Sequence, residues 1–310
     1  MKLKIISGNA NRELSQKIAQ KLGMDLTETI LERFSDGEIR VKILNNVRGM
    51  DCYIIQPTCN PVNENLMELL ILADALKRAS AKRITAVMPY YGYGRQDRKS
   101  EPRVPITAKL VADLLATAGI TRVLTMDLHA GQIQGFFNIP VDHLYAKPAL
   151  IAYLKEKNFK DIVMVSPDAG GVERARAYAK DLEADLAIVD KRRPRPNEAA
   201  IMNIIGDVNG KTCIIADDLV DTAGTLTKVA AAIKEKGAAR VLAIASHGVL
   251  SGAARQKIKD SCIEELMITD SIPIKNLDKT DRICIITVSS LLAEAIMRIS
   301  NDESVSALFL

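Results

Sequence analysis

The sequence predicts an α/β protein built on mostly parallel sheets flanked by helices, long enough for one large domain or two of about 150 residues. Three observations predict it. Short β-branched runs alternate with segments of helical period along most of the 310 residues. The runs are continuous rather than interleaved with polar residues, as in strands buried on both faces. Several end on a turn of small or acidic residues that leads straight into a helix, the order of right-handed βαβ units.

Leu3–Ser7 reads as the first strand, and Arg12–Leu22 as a helix stopped by Gly23. Asp51–Ile55 is a buried strand, after which Asn60-Pro61 opens a helix carrying Leu66, Leu69, Leu70, Ala73 and Leu76. Ile84–Met88, a helix near Ile106–Ala118 closed by Gly119, and Val123–Met126 continue the alternation. A second series begins near Tyr145 with a helix to Leu154, a strand at Ile162–Val165, a helix at Val172–Leu182 and a strand at Leu186–Val189. The strand Cys213–Ala216 follows, then a helix at Leu226–Lys236 closed by Gly237, and strands at Val241–Ala245 and Ile283–Thr287 before a last helix at Leu291–Ile299. TRVLTMDLHAGQ in the first series and KTCIIADDLVDTAGT in the second both end a strand on Asp before a turn, an echo that duplication of one unit would explain.

Composition narrows the class. A hydrophobic share of 48% supplies a packed core, and a net charge of +4 is too weak to argue for nucleic acid, though it mildly favours anionic substrates. Cys52, Cys59, Cys213, Cys262 and Cys284 are odd in number, widely spaced and without a CxxC, which reads as reduced thiols and no zinc site. The apolar part of MKLKIISGNAN is too short for a targeting signal, and no apolar run approaches membrane-spanning length. The expectation is a soluble, cytoplasmic protein with neither membrane nor nucleic acid as partner.

The chemistry centres on Cys213–Thr225, CIIADDLVDTAGT. A buried strand ends in Asp217 and Asp218, and a turn from Asp221 to Thr225 precedes a helix. In open α/β sheets ligands bind at the carboxyl ends of strands, and N–H groups at a helix start suit a phosphate. Thr222 and Thr225 add hydroxyl donors, while Ala223 and Gly224 let backbone close on an anion. Carboxylates beside a phosphate cradle make sense for a sugar phosphate: the loop holds the phosphate, and the acids accept from ring hydroxyls or hold Mg²⁺. Two adjacent acids alone would read as a solvated strand end; the attached loop reverses that.

Ser166-Pro167-Asp168-Ala169-Gly170-Gly171 repeats the strand–small loop–helix pattern, with Asp168 able to hold a metal, although a plain strand-to-helix turn has the same pattern. Lys191-Arg192-Arg193-Pro194-Arg195-Pro196-Asn197 packs four cations and two prolines into seven residues, so it reads as an exposed, mobile segment outside helix and central strand. A solvated linker, a weak nucleic-acid patch and a cationic flap over a transferring group all fit it. Gly206–Thr212 is one residue short of a P-loop and leads into a strand, and Gly92-Tyr93-Gly94 lacks the third glycine and the helix of a dinucleotide fingerprint.

DDLVDTAGT resembles the ribose-phosphate loop of the type I phosphoribosyltransferase fold, in which Ala or Gly occupies the third loop position. Five further segments in order, Arg33–Glu38, Tyr93–Lys99, Asp127–Ala130, Ser166–Gly171 and Lys191–Pro194, make the whole chain resemble the ribose-phosphate pyrophosphokinase family. The resemblance implies two domains of one fold, 1–144 with ATP-site segments and oligomer contacts, and 145–310 with the sugar-phosphate and pyrophosphate loops. The last helix is a candidate to pack back on the first domain. It implies transfer of the β,γ-diphosphoryl group of ATP to the C1 hydroxyl of ribose 5-phosphate, with Mg²⁺. Asp217 and Asp218 would fix the ribose hydroxyls, and Asp221, Thr222, Ala223, Gly224 and Thr225 the 5-phosphate. Asp168, Ala169, Gly170 and Gly171 would form the pyrophosphate loop, with His129 and Asp168 on Mg²⁺. Phe34, Asp36, Gly37 and Glu38, together with Arg95, Gln96 and Asp127, would bind ATP, the Phe34 segment across a subunit boundary of a homo-oligomer, with a hexamer expected. Lys191 and Arg193 would stabilise the transition state. Three rivals stand beside this: a phosphoribosyltransferase, a non-catalytic regulatory paralogue, and a nucleic-acid module resting on the basic run alone.

Overall fold

The computed structural model describes residues 2–192 and 201–308. It divides into two compact units, the first made of Met1–Tyr145, Ser271–Pro273 and Thr287–Leu310, the second of Ala146–Asp270 and Ile274–Ile286.

The first unit contains β1 (Leu3–Ser7), α1 (Arg12–Lys21), β2 (Thr29–Arg33), β3 (Ile39–Ile43), β4 (Asp51–Ile55), α2 (Val62–Arg78), β5 (Arg83–Met88), α3 (Thr107–Ala118), β6 (Arg122–Met126) and β7 (Val141–Leu144). Its main sheet has the order β1-β4-β5-β6-β7 and is parallel throughout. Every residue of β4 is buried, as its continuous apolar run requires. Leu69, Leu72 and Leu76 of α2 and Val111 and Leu115 of α3 pack with Ile54 and Val123 into one core, each side chain worth roughly 1.5–3 kcal/mol of burial. β2 and β3 form a separate antiparallel hairpin.

The second unit contains α4 (Lys147–Lys157), β8 (Ile162–Ser166), α5 (Val172–Leu182), β9 (Asp185–Arg192), β10 (Ile201–Ile205), β11 (Thr212–Val220), α6 (Gly224–Glu235), β12 (Arg240–Gly248), α7 (Ala254–Lys259), β13 (Leu266–Thr269) and β14 (Ile283–Ile286). Its sheet runs β10-β9-β8-β11-β12-β13-β14, with only β10 antiparallel to its neighbour. The last helix, α8 (Ser289–Ser300), packs on α1 and counts with the first unit, so residues 287–310 are not part of the second. No helix among the described residues is long and apolar enough to cross a membrane.

Three sequence expectations change here. The order β8-β11-β12-β13-β14 repeats β1-β4-β5-β6-β7, so the counterpart of β11 is β4 and not β6, the strand of the TRVLTMDLHAGQ echo. Where β11 continues into Asp217, β4 is followed by the neutral Gln56. Second, β11 does not stop at Ala216. Its ladder with β12 runs to Val220↔Gly248, so Asp217 and Asp218 lie inside the strand; β12 is long enough to pair that far. Third, the basic run does not lie wholly outside regular structure. Lys191 and Arg192 close β9, paired with Met202 and Ile201 of β10, because the prolines begin only at Pro194.

Candidate active site

In the second unit the parallel strands bring three carboxyl ends to one edge. β11 supplies Asp217 and Asp218, β8 leads into Ser166–Gly171, and β9, beside β8, ends at Lys191 and Arg192. β8 pairs with β11 only as far as Val165↔Ile215, so beyond that point β11 has no strand on that side. Arg174, in the first turn of α5, reaches the acids there: its guanidinium lies 3.4 Å from Asp217 Oδ1 and 3.5 Å from Asp218 Oδ1. A residue three positions past the Asp168–Gly171 loop thus touches the two acids of β11.

The electrostatics follow from the crowding. Asp218 is buried, and the Asp217 carboxyl is pushed up to about 7, first by burial, then by the hydrogen bond and charge of Asp218 beside it. Arg174 opposes the rise, and the Asp218 N–H also donates to Asp217 Oδ1, at 2.9 Å.

The loop after β11 holds the anion-competent backbone. Ala223, at φ 58° and ψ 5°, is in the left-handed region and buried, so its methyl packs in the core while its backbone turns the chain into α6. Alanine at the N-cap has no side-chain acceptor, so it leaves the first N–H groups of α6 for an external anion. In the companion loop the Asp168 carboxylate accepts from Gly171 N–H at 2.9 Å, and Ser166 Oγ donates to Asp168 O at 2.6 Å. One donor of that loop is therefore already used internally. A Cβ at Gly171 would stand 3.0 Å from Ser166 Oγ, a close contact that the serine side chain would have to relieve.

The first unit groups the other residues. His129 and Asp127 follow β6, and Arg95 and Gln96 follow β5, the adjacent strand. A Cβ at Gly94 would lie 3.9 Å from His129 Cβ, so these segments are neighbours. Asp127 has φ 40°, and its N–H donates to Leu144 O at 2.9 Å. Gln96 is tied by its carbonyl to Ala108 N–H at 3.1 Å and by its side chain to Thr107 Oγ1. Phe34, Asp36, Gly37 and Glu38 form the tip of the β2–β3 hairpin, closed by Phe34 N–H to Glu38 O at 2.8 Å, with Gly37 at φ 94°. Phe34 is 51% exposed there, with the Arg40 guanidinium 6.0 Å from its ring centre. Arg33, at the tip-side end of β2, and Tyr93 meet the first turn of α2, through Glu64 and Asn63 respectively.

Lys191 is placed by its backbone at the end of β9, and Arg193 lies outside the described residues. Sequence reasoning missed Arg174. The available signal was a cation in the first turn of a helix that leaves a candidate phosphate loop.

Comparison with known proteins adds the lineage. Residues 3–119 match the family model described as the N-terminal domain of ribose phosphate pyrophosphokinase, and residues 191–310 that of the phosphoribosyl synthetase-associated domain. The chain is 57% identical over 309 residues to a ribose-phosphate pyrophosphokinase of Neisseria meningitidis serogroup A, covering 99% of this chain and 94% of that protein. It is 56% identical over 310 residues to the protein of the same name from Vibrio cholerae, covering 99% of each. Among solved structures, the phosphoribosylpyrophosphate synthetase from Mycobacterium smegmatis matches with a TM-score of 0.91 at 40% identity, covering 97% of this chain and 100% of that one.

Proposed function

The chain belongs to the ribose-phosphate pyrophosphokinase family, and we propose that it transfers the β,γ-diphosphoryl group of ATP to the C1 hydroxyl of ribose 5-phosphate, giving AMP and 5-phosphoribosyl 1-pyrophosphate. The observation that carries the reading is the Arg174 bridge, which sets a pentose-competent acid pair and phosphate loop against a second small-residue loop at one sheet edge. Phosphoryl transfer is catalysed chiefly by positioning and charge neutralisation, and this site offers both without a covalent nucleophile.

Asp217 and Asp218 accept from the ribose hydroxyls, and the Asp221–Thr225 backbone with the start of α6 holds the 5-phosphate. Ala169 and Gly170 offer N–H groups to the diphosphoryl group, while Phe34–Glu38, Arg95, Gln96 and Asp127 hold the nucleotide. Lys191 and Arg193 neutralise charge on the group in transfer. Asp168 in the second unit and His129 in the first are each candidate ligands for a divalent ion, Mg²⁺ in our reading. Among the described residues there is no group of three or more acidic, thiol or imidazole side chains able to hold a metal, so an ion at either residue would take its remaining ligands from phosphate oxygens and water. When bound, the ion neutralises and orients the triphosphate oxygens. A cytoplasmic location is part of the same reading, supported by five free cysteines. Self-association, with a hexamer as the expected size, is supported by the exposure of Phe34 at its hairpin tip.

AMP release measured with the purified full chain should require both ribose 5-phosphate and Mg²⁺. Release that is indifferent to ribose 5-phosphate, or nucleotide formation from a base and phosphoribosyl pyrophosphate, would overturn the assignment.

The raised Asp217 carboxyl sets a pH dependence. Its anion is the better hydroxyl acceptor and dominates only above about 7, so affinity for ribose 5-phosphate should rise as pH increases from 6 to 8. The sugar phosphate itself titrates near the lower end of that range, so calorimetry on Asp217→Asn is the control. That variant should lose the part of the rise centred near 7, and an unchanged profile would remove the acid pair from sugar recognition.

A further inference from the structure

The phosphate loop is held from behind by the segment that follows β12. Leu250 N–H donates to Val220 O at 3.0 Å, and Ser251 N–H donates to Asp221 O at 3.1 Å. The Ser251 hydroxyl donates to Asp221 Oδ1, and Lys257 Nζ, from α7, donates to Thr222 O at 3.1 Å. Two consecutive loop carbonyls, those of Asp221 and Thr222, are therefore each fixed by a donor from outside the loop.

Peptide groups are planar and trans, so a carbonyl turned one way turns the N–H of the same peptide the other way. The Asp221 carbonyl shares its peptide with the Thr222 N–H, and the Thr222 carbonyl shares its peptide with the Ala223 N–H. Ala223 is in the left-handed region, a conformation in which successive N–H groups converge on an anion. Ser251 contributes chiefly through its backbone, which any residue supplies. Lys257 acts through its side chain and brings a positive charge to the back of the cradle.

We propose that Lys257 is a positioning residue for the sugar-phosphate loop: by holding the Thr222 carbonyl it aims the Ala223 N–H into the loop, towards the 5-phosphate. This rests on the reading that Asp221–Thr225 holds that phosphate. Lys257 makes no contact with the reacting C1 hydroxyl or with ATP in this account, so its effect falls on ribose 5-phosphate affinity and leaves turnover at saturation alone.

The test uses the full-length protein, with ribose 5-phosphate titrated calorimetrically and steady-state kinetics run alongside. Lys257→Met should raise both Kd and KM for ribose 5-phosphate by about five- to tenfold, the effect of one charge-assisted hydrogen bond discounted for exposure. kcat at saturating ribose 5-phosphate and KM for ATP should stay unchanged, and Lys257→Arg should recover most of the affinity by donating to the same carbonyl. Lys259→Met is the charge control: Lys259 Nζ donates to Thr280 Oγ1 at 2.8 Å and not to the loop. It should bind as the unaltered protein does. Equal loss in both methionine variants would show only long-range charge and overturn the inference, as would unaffected binding by Lys257→Met or failure of the arginine variant to recover. If the unaltered protein does not bind ribose 5-phosphate, the loop assignment falls and this inference with it. Normal binding with an indifferent Lys257→Met sinks the inference alone.

Discussion

Lys191→Ala is expected to lower kcat on the order of 10²-fold or more while leaving affinity for ribose 5-phosphate close to that of the unaltered protein. Lys191 is the penultimate residue of β9, and β9 lies directly beside β8, whose carboxyl end carries the Asp168–Gly171 loop. The Asp221–Thr225 loop, proposed to hold the sugar phosphate, leaves β11, on the far side of β8 from β9. On the proposed reading, the backbone placement of Lys191 assigns its charge to the diphosphoryl group in transfer rather than to the bound sugar phosphate. Its contribution then grows as charge redistributes over the phosphoryl oxygens, which is the condition for an effect on kcat rather than on binding. Lys191→Arg keeps the charge but replaces a compact ammonium with a planar fork, so partial activity should return. Single-turnover rates with saturating ATP separate chemistry from product release, and calorimetry with ribose 5-phosphate checks the affinity. A Lys191→Ala enzyme with normal single-turnover rates would remove the basic segment from the mechanism.

How much of this could be read from the sequence depended on how each element makes its contacts. β4, β8, β11 and β12 lie inside sheets covered on both faces, and such strands are written as continuous apolar runs. β2 and β3 were missed although Ile39, Val41 and Ile43 alternate with Arg40 and Lys42. Half-exposed hairpin strands write their signal as period two, and their charged residues read as loop. β13 has four residues and α7 six, too short for any periodicity to build up. The extent of β11 was not visible because it depends on the partner β12, and the pairing runs through two acids that ordinarily end a strand. In the site, loops carried by local glycine and alanine patterns were legible. The Arg174 bridge was not, since nothing local joins a helix cation to an acid pair that begins 43 residues further on.

That bridge leads to the second large effect. Arg174→Met should weaken ribose 5-phosphate binding at pH 7 on the order of 10²-fold, and raising the pH should restore part of the loss. The Asp217 carboxyl already sits at about 7 with Arg174 opposing the rise, so removing the guanidinium moves it higher still. At pH 7 the acid pair of the variant then keeps a proton that the unaltered protein has half released, and it is a poorer acceptor for two hydroxyls. The sign for stability is the reverse. A carboxyl raised in the folded state binds protons more tightly than in the unfolded chain, so its contribution to stability declines as pH rises towards its folded value. In the unaltered protein that decline ends near 7, and in Arg174→Met it continues above it. Between pH 5 and 8.5 the ligand-free variant should therefore lose melting temperature relative to the unaltered protein, while its sugar-phosphate affinity gains on its own value at pH 7. A merely structural arginine would move both quantities in the same direction, or neither with pH. A loss of affinity that is the same at every pH would show that Arg174 orients α5 without governing the charge of the acid pair.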